Sequence, residues 1–549
     1  MTAQRHAGAA KQEEIGGREV SLLWLMPFDA QIRDVIYNYI RYVKGLEDRI
    51  IDTWPLQRLR YILQLQAAHF VYPSATHTRF NHSLGVMHIA YRFMDQLLRS
   101  LELLDAHLGD TGKYMLRHAR ELMLAARITG LLHDVGHGPF SHAFDKYVLG
   151  NSEFLGYRFG NHEVMGYLIY RDYLRRIIHR VVKESNKGID ADTVIELLDV
   201  AMKPPYSMAK YTDLGKKGLL DREDYFQPSP DLAPHMVVRL AVRDFFYPAD
   251  ILDYLKRDSY YTGLPIGEIN IDWLILNTYL IPYENLLIPG IEAKAVDDLV
   301  RLLNARKFMY KNVYLHHVNL AFIETIGILL GCLKHYIAGI IDRVVDGDLE
   351  AYMALTDYSI YGLLQNIMAR GDIGAVCGET YRELGRQALK NLLYIRKPAW
   401  KLLAKYTINK NDARHIFSRR FKEVIQAAIN KQISTELSAL LGEKGFRLED
   451  IKVTIISIDV FPSAAEDLFS YILVAKTMAG KIVDRYEIPL DKFAKEHGII
   501  PEAIFLIYIN REKYKELSSS EIAAATGLAK EIIDEAIGRS AEEKPPETS

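Results

Sequence analysis

The chain has 549 residues, 49% hydrophobic and 25% charged, enough for two or three lobes around a large core. A formal charge of −2 excludes a polycation that coats nucleic acid, and two cysteines, Cys332 and Cys377, are too few for a disulfide framework or a cysteine-based zinc module. Residues 1–17 are polar and lack the apolar core of a secretion signal, and the longest apolar stretch, residues 321–333, is interrupted by Glu324 and too short for a bilayer, so a cytoplasmic protein with no membrane association is expected. Abundant Lys, Arg, Glu, Ile and Tyr give a weak hint of a thermophile.

In chain order, residues 1–20 read as a disordered tail, and 24–104 follow helical spacing, with Leu56, Leu59, Ile62, Leu63 and Gln66 suggesting one buried face before a turn at Tyr72-Pro73-Ser74. Arg79 and His82 are three apart at an expected helix start and share a face. An arginine fork one turn from a metal-binding histidine suits a phosphate held on the metal, although the pair alone reads as ordinary surface. Residues 127–142 carry the densest chemistry: an apolar run leads into His133-Asp134, His137 falls one turn later, and Gly136, Gly138 and Pro139 turn the chain before His142. Residues 143–200 continue helical, with Asn161-His162-Glu163 opening an apolar-periodic run.

Residues 203–235, rich in proline and glycine, read as a long surface loop. Pro248 starts a helix on which Asp250, Tyr254 and Asp258 line one face at intervals of four. Residues 296–340 read as long helices, with Arg306, Tyr310 and Tyr314 again four apart. The basic stretch 380–422 reads as a solvated or inter-subunit face, although nucleotides could also bind there. After residue 448 come β-rich runs, at 453–461, 471–477 and 504–510, and residues 518–539 loosely resemble a helix-turn-helix. The expected organisation is a tail (1–20), a catalytic domain (21–340), a helical extension (341–447), a small α/β subdomain (448–515) and a helical or disordered end (516–549).

His82, the His133-Asp134 pair and a distant aspartate such as Asp250 would offer two nitrogen and two oxygen ligands to one divalent ion, Mn, Mg, Fe, Zn or Co. His137, His142 and His162 would remain for proton transfer and phosphate contact, with Asp145 spaced to orient His142. No Gly-rich phosphate loop of the Walker type is present.

Taken in order, residues 52–62, 79–86 (Arg-Phe-Asn-His-Ser-Leu-Gly-Val), 132–142 (Leu-His-Asp-Val-Gly-His-Gly-Pro-Phe-Ser-His), His162-Glu163 and 253–259 resemble the HD-domain metal-dependent phosphohydrolases, over roughly residues 50–320. Within them the chain looks most like the deoxynucleoside triphosphate triphosphohydrolase branch, both dGTPase-like and SAM-and-HD-domain forms. The resemblance implies a mainly α fold, an HD-domain helical bundle with a helical extension and a small C-terminal α/β appendage. It implies metal ligation by His82, His133, Asp134 and Asp250, and catalysis by His137, His142 and His162 with Asp145 in support. Arg79 and Arg306 would hold phosphates, Tyr254 and Asp258 the sugar 3′-hydroxyl, and Gln64 and Leu65 would lie near sugar and base, while Tyr314 would crowd C2′. Family members release deoxynucleoside and inorganic triphosphate, and many are dimers or tetramers, some activated by nucleotides.

Two departures stand out. Ile251 occupies a position where the family usually has Lys or Arg, and the family's Asp-Pro-Ile-His-Gly segment, half of an activating-nucleotide site, is absent. Asp52, Gln57 and Arg60 match the other half. The alternatives are an HD-family nucleotidase or phosphodiesterase acting on other nucleotides, or a non-catalytic scaffold binding nucleotides or nucleic acid.

Overall fold

Apolar residues at helical spacing build the centre of the molecule. In a computed structural model describing residues 26–102, 109–229, 233–266, 269–283, 286–410, 422–478 and 481–542, helix α1 (Arg79–Glu102) buries Leu84, Met87, Phe93 and Leu97, and α2 (Ala119–Leu132) is buried on nearly every face. Such a helix belongs inside a bundle. Helix α3 (His162–Ile169) starts where the Asn161 side chain accepts the Glu163 and Val164 amides. Helix α4 (Ala249–Thr262) packs on α1, and α5 (Val296–Met309) and α6 (His317–Cys332) close the far side. The molecule is 62% helical, as expected of the fold class. The expected disordered tail, and Arg414, Arg419 and Arg420 of the basic stretch, lie outside the described residues.

Three sheets join the bundle. β1 (Ala30–Asp34) and β2 (Asn38–Tyr42) form an antiparallel ribbon within the stretch expected to be helical. Five-residue strands give too few alternations to outweigh the surrounding helical spacing. β3 (Thr278–Tyr283) and β4 (Leu286–Glu292) pair with β7 (Tyr471–Met478) and β8 (Lys481–Pro489) in the order β3-β4-β7-β8, the β4-β7 contact being parallel. β5 (Trp400–Asn409), β9 (Glu502–Asn510) and β6 (Ile451–Ile458) form an antiparallel sheet with β9 in the middle. Both larger sheets therefore cross the boundary expected near residue 448, and the presumed helical extension contains β5.

β9 is apolar from Ala503 to Ile509 because both its faces are covered. Ile504, Leu506 and Tyr508 face the main core, while Phe505, Ile507 and Ile509 face a smaller one closed by Lys422–Leu440 and Ser519–Glu542. The latter is one helix, so the helix-turn-helix expectation for 518–539 is corrected: Gly527 does not break it. The described residues of 203–235 are not a featureless loop but carry three short 3₁₀ turns and the start of Ala233–Arg239. The two cysteines, too few for a framework, are bridged to each other. Among the described residues no single helix is long and apolar enough to cross a membrane. Replacing Ile507 with Ala should lower stability by about 2–5 kcal/mol, as for truncation of a fully buried aliphatic side chain, measured by denaturant unfolding.

Candidate active site

His82 lies on the first turn of α1, His133 and Asp134 directly follow α2, and Asp250 lies on the first turn of α4. Their polar atoms meet at one spot. His82 Nε2 is 3.0 Å from Asp250 Oδ1, 3.2 Å from His133 Nε2 and 3.7 Å from Asp134 Oδ2. His133 Nε2 is 3.5 Å from Asp134 Oδ1 and 3.7 Å from Asp250 Oδ1. Ligand bonds of about 2.0–2.2 Å separate neighbouring ligand atoms by about 3–3.5 Å, so one divalent ion fits among His82, His133 and Asp250, with Asp134 at the edge of the cluster.

The rings are oriented for that. His133 Nδ1 donates to the Gly130 carbonyl at 2.8 Å, which turns the Nε2 lone pair into the cluster. His82 Nδ1 meets Asp253 Oδ2 at 2.8 Å; Arg257 donates to both Asp253 oxygens, at 2.9 and 3.0 Å, and to Asp34 at the end of β1, at 2.9 Å. All of these side chains are buried. A carboxylate behind a ligating histidine fixes its tautomer and strengthens it as a ligand. Gly85 makes the approach feasible, because a Cβ there would overlap the Asp253 carboxylate. Burial opposes a charged imidazole at His82, yet the hydrogen bonds and charges of Asp250 and Asp253 outweigh it and raise its pKa to about 10. The cluster draws positive charge to its centre, as cation ligands do. The donor set fits a divalent ion without selecting one.

The turn after α2 is held by its backbone. Arg58 donates to the carbonyls of Val135 and His137, Tyr352 to that of Gly136, and Asp357 accepts the Phe140 and Leu63 amides. Phe140 and Ser141 both have positive φ, 59° and 54°, and those contacts hold the strained segment.

A second histidine cluster adjoins the first. His137 stacks on His162 with ring centroids 3.6 Å apart, and its Nε2 is 3.4 Å from Asp134 Oδ1. Asp145 takes His162 Nδ1 at 2.6 Å and the His162 amide at 2.9 Å, and His142 Nδ1 at 3.3 Å. Its tighter partner is thus His162 rather than the His142 that spacing suggests. Burial and the nearby charges of Arg79 and His162 push His137 well below the usual imidazole range. Asp145 raises His162 above it, despite burial. Two adjacent imidazoles with opposite shifts suit proton transfer.

A cavity of about 560 Å³ opens on both clusters. Every catalytic, metal and substrate residue expected from the sequence lines it except Asp145, which sits behind the histidines. Arg79 donates to Ser141 Oγ at 2.8 Å and to Asp134. Asp258 lies between His77 Nε2, at 2.8 Å, and the Tyr314 hydroxyl, which donates at 2.7 Å. Arg306 lies over the Tyr310 ring and donates to the Asp459 carbonyl at 3.2 Å. Gln64, Leu65, Tyr254 and Ile251 line the wall, as do Pro462 and Ser463 from beyond residue 448. The expected activator residues do not: Arg60 donates to Gln57 and covers the Phe80 ring, and Asp52 is exposed.

Residues 79–214 match the HD domain family. The chain carries an HD domain. A putative HD domain-containing protein of Acanthamoeba polyphaga mimivirus is 28% identical over 335 residues, 60% of this chain and 63% of that protein. A Bos taurus protein named deoxynucleoside triphosphate triphosphohydrolase SAMHD1 is 43% identical over 114 residues, 21% of this chain and 17% of that protein. The chain thus spans less than two thirds of the length of these relatives. Among solved structures, a hypothetical protein from Aquifex aeolicus has a TM-score of 0.55 at 23% identity, covering 90% of this chain and 99% of that one, a likeness of fold.

The HD domain match includes His82, His133, Asp134, His137, His142, Asp145 and His162, while Asp250, Tyr254, Asp258, Arg306 and Tyr314 lie beyond it. Sequence reasoning missed Asp253 and Arg257, although their spacing of four on one helix marked a pair. It also missed His77, two residues before Arg79, and Asp34, Arg58, Tyr352 and Asp357, which reach the site from distant segments and leave no local signal. Replacing Asp253 with Asn should weaken Mn²⁺ binding by about 10–100-fold, measured by titration calorimetry. Replacing Asp145 with Asn should lower the pH at which the His162 ring loses its proton, because Asp145 raises that pKa; NMR titration reads the shift.

Proposed function

We propose that this protein is a metal-dependent dNTP triphosphohydrolase, converting a dNTP and water to deoxynucleoside and inorganic triphosphate. The observation that carries the reading is the meeting, in one cavity, of the His82, His133, Asp134 and Asp250 cluster, the His137–His162 pair, and the wall of Tyr254, Asp258, Arg306 and Tyr314. Partial similarity to a protein named as such an enzyme supports it. The cavity volume falls within the range of about 300–1,000 Å³ usual for small-molecule sites. Five carboxylates and four Lys or Arg side chains line it, so a divalent ion turns the wall net positive and favourable to polyphosphate.

Water adds to the α-phosphorus, the bond to O5′ breaks, and O5′ takes a proton. An ion held by His82, His133, Asp134 and Asp250 would polarise a phosphate oxygen and lower the pKa of water. His162, kept protonatable by Asp145, donates a proton; His137, kept neutral, accepts one; and exposed His142 contacts phosphate. Arg79 and Arg306 hold phosphates. Tyr254 and Asp258 read the sugar 3′-hydroxyl, with Gln64 and Leu65 near sugar and base, and Tyr314, fixed on Asp258, crowds C2′. Homo-oligomeric assembly and a nucleotide activator rest on the resemblance, and a cytoplasmic location rests on the sequence pattern alone. The apolar Ile251 in the wall favours, as a second reading, hydrolysis of other nucleotides with fewer phosphates.

Incubation with each dNTP and Mn²⁺ or Mg²⁺, with products identified by ³¹P NMR, tests the reaction. Inorganic triphosphate is expected; release of orthophosphate or of a deoxynucleoside monophosphate refutes it. Asp134→Ala should lower turnover by about a thousandfold or more while leaving the circular dichroism spectrum unchanged.

A further inference from the structure

Four side chains of fixed positive charge line the cavity: Arg79, Lys146, Arg243 and Arg306. Two are matched by adjacent acids, Arg79 by Asp134 and Arg243 by Glu163 and Asp244. Lys146 is balanced differently. It follows His142 by one turn, and its ammonium donates to Glu324 Oε1 at 2.6 Å. Glu324, on α6, is buried, with 4% of its side chain exposed, whereas Lys146 is 48% exposed. The other Glu324 oxygen is 3.3 Å from the ammonium of Lys452, on β6. Burial works against the Glu324 charge, but the two lysines hold its pKa below the usual glutamate range.

One carboxylate thus faces two ammonium groups and neutralises one. Lys146 is the member of this trio in the wall of the large cavity; Glu324 and Lys452 line a smaller one, of about 350 Å³, next to it. A half-exposed ammonium, tethered from behind and carrying surplus charge, offers its remaining donors to an anion in the cavity. We propose that Lys146 is a further anion-binding residue of this site, positioned by Glu324 and kept in surplus charge by Lys452, and that it grips a phosphate oxygen of a polyphosphate. The identity of the anion rests on the function proposed above; the grip itself does not require turnover. The β-rich region after residue 448 would then set the charge of a site whose histidines come from the HD domain.

Titration calorimetry of the full chain with inorganic tripolyphosphate, in the presence of Mn²⁺, tests this directly. Lys146→Gln should weaken binding about tenfold, the loss of one charge-assisted hydrogen bond, and Lys146→Arg should restore most of it. Lys452→Gln removes a charge from outside the large cavity, lets Glu324 neutralise Lys146, and should weaken binding about threefold, less as salt is raised. A folded Lys146→Gln protein that binds tripolyphosphate like the wild type, or a wild type that does not bind it, overturns the proposal; an unaffected Lys452→Gln protein overturns the shared-carboxylate part. If these affinities change as expected but no dNTP is hydrolysed, the grip stands and the reaction assignment falls.

Discussion

Crowding of ligand atoms is the constraint around which the molecule is organised. Two imidazoles and the Asp250 carboxylate bring polar atoms to within 3.0–3.7 Å of one another at a largely buried spot, and Asp134 lies 3.5–3.7 Å from both rings. Such proximity of partly desolvated groups is costly unless a positive charge lies among them. Satisfying it fixes the relation of three helices, because α1 supplies His82, the end of α2 supplies His133 and Asp134, and α4 supplies Asp250. The Asp253–Arg257–Asp34 chain then ties the back of His82 to the β1 ribbon, so a short hairpin far from the cavity is part of the ligand support.

The same logic explains why the support extends beyond the HD domain. The turn carrying His137 and His142 has two residues at positive φ and carbonyls pointing into the interior, which need donors. Arg58 comes from before the HD domain match, and Tyr352 and Asp357 come from after it. Asp357 illustrates the electrostatic cost: burial raises its pKa to about 6, although two backbone amides and the charges of Arg79 and Arg58 lower it. The helices Leu349–Met353 and Asp357–Arg370 therefore brace the turn.

How legible each part was in the sequence follows from distance along the chain. The His133-Asp134 turn, the Arg79/His82 pair and the Asp250/Tyr254/Asp258 face are local patterns whose spacing determines their geometry, and the structure gathers all of them at one cavity. Asp253 and Arg257 were as local, but a buried ion pair and a solvated one look alike in sequence. The pairing of β4 with β7 and of β5 with β9 depends on partners roughly one to two hundred residues away, and short strands carry no mark of which sheet they join. For that reason the C-terminal region looked like an appendage, whereas Asp459 holds Arg306 and Ser463 lines the cavity.

Two histidine–carboxylate pairs in this site show how one motif can serve two ends. Asp253 backs His82, and Asp145 backs His162. The difference lies in what else each carboxylate meets. Asp253 is clasped by both arms of Arg257, and it orients the His82 ring while, with Asp250, raising that ring's pKa. Asp145 meets His162, His142 and a backbone amide, with no Lys or Arg ion pair among the described residues, so its charge acts on the imidazole protons themselves. Both carboxylates favour a protonated ring, and what differs further is what the ring faces: His82 meets His133 and Asp250, whereas His162 stacks on His137. Under the proposed function, the first surroundings would suit metal ligation and the second proton transfer, without a difference in residue type.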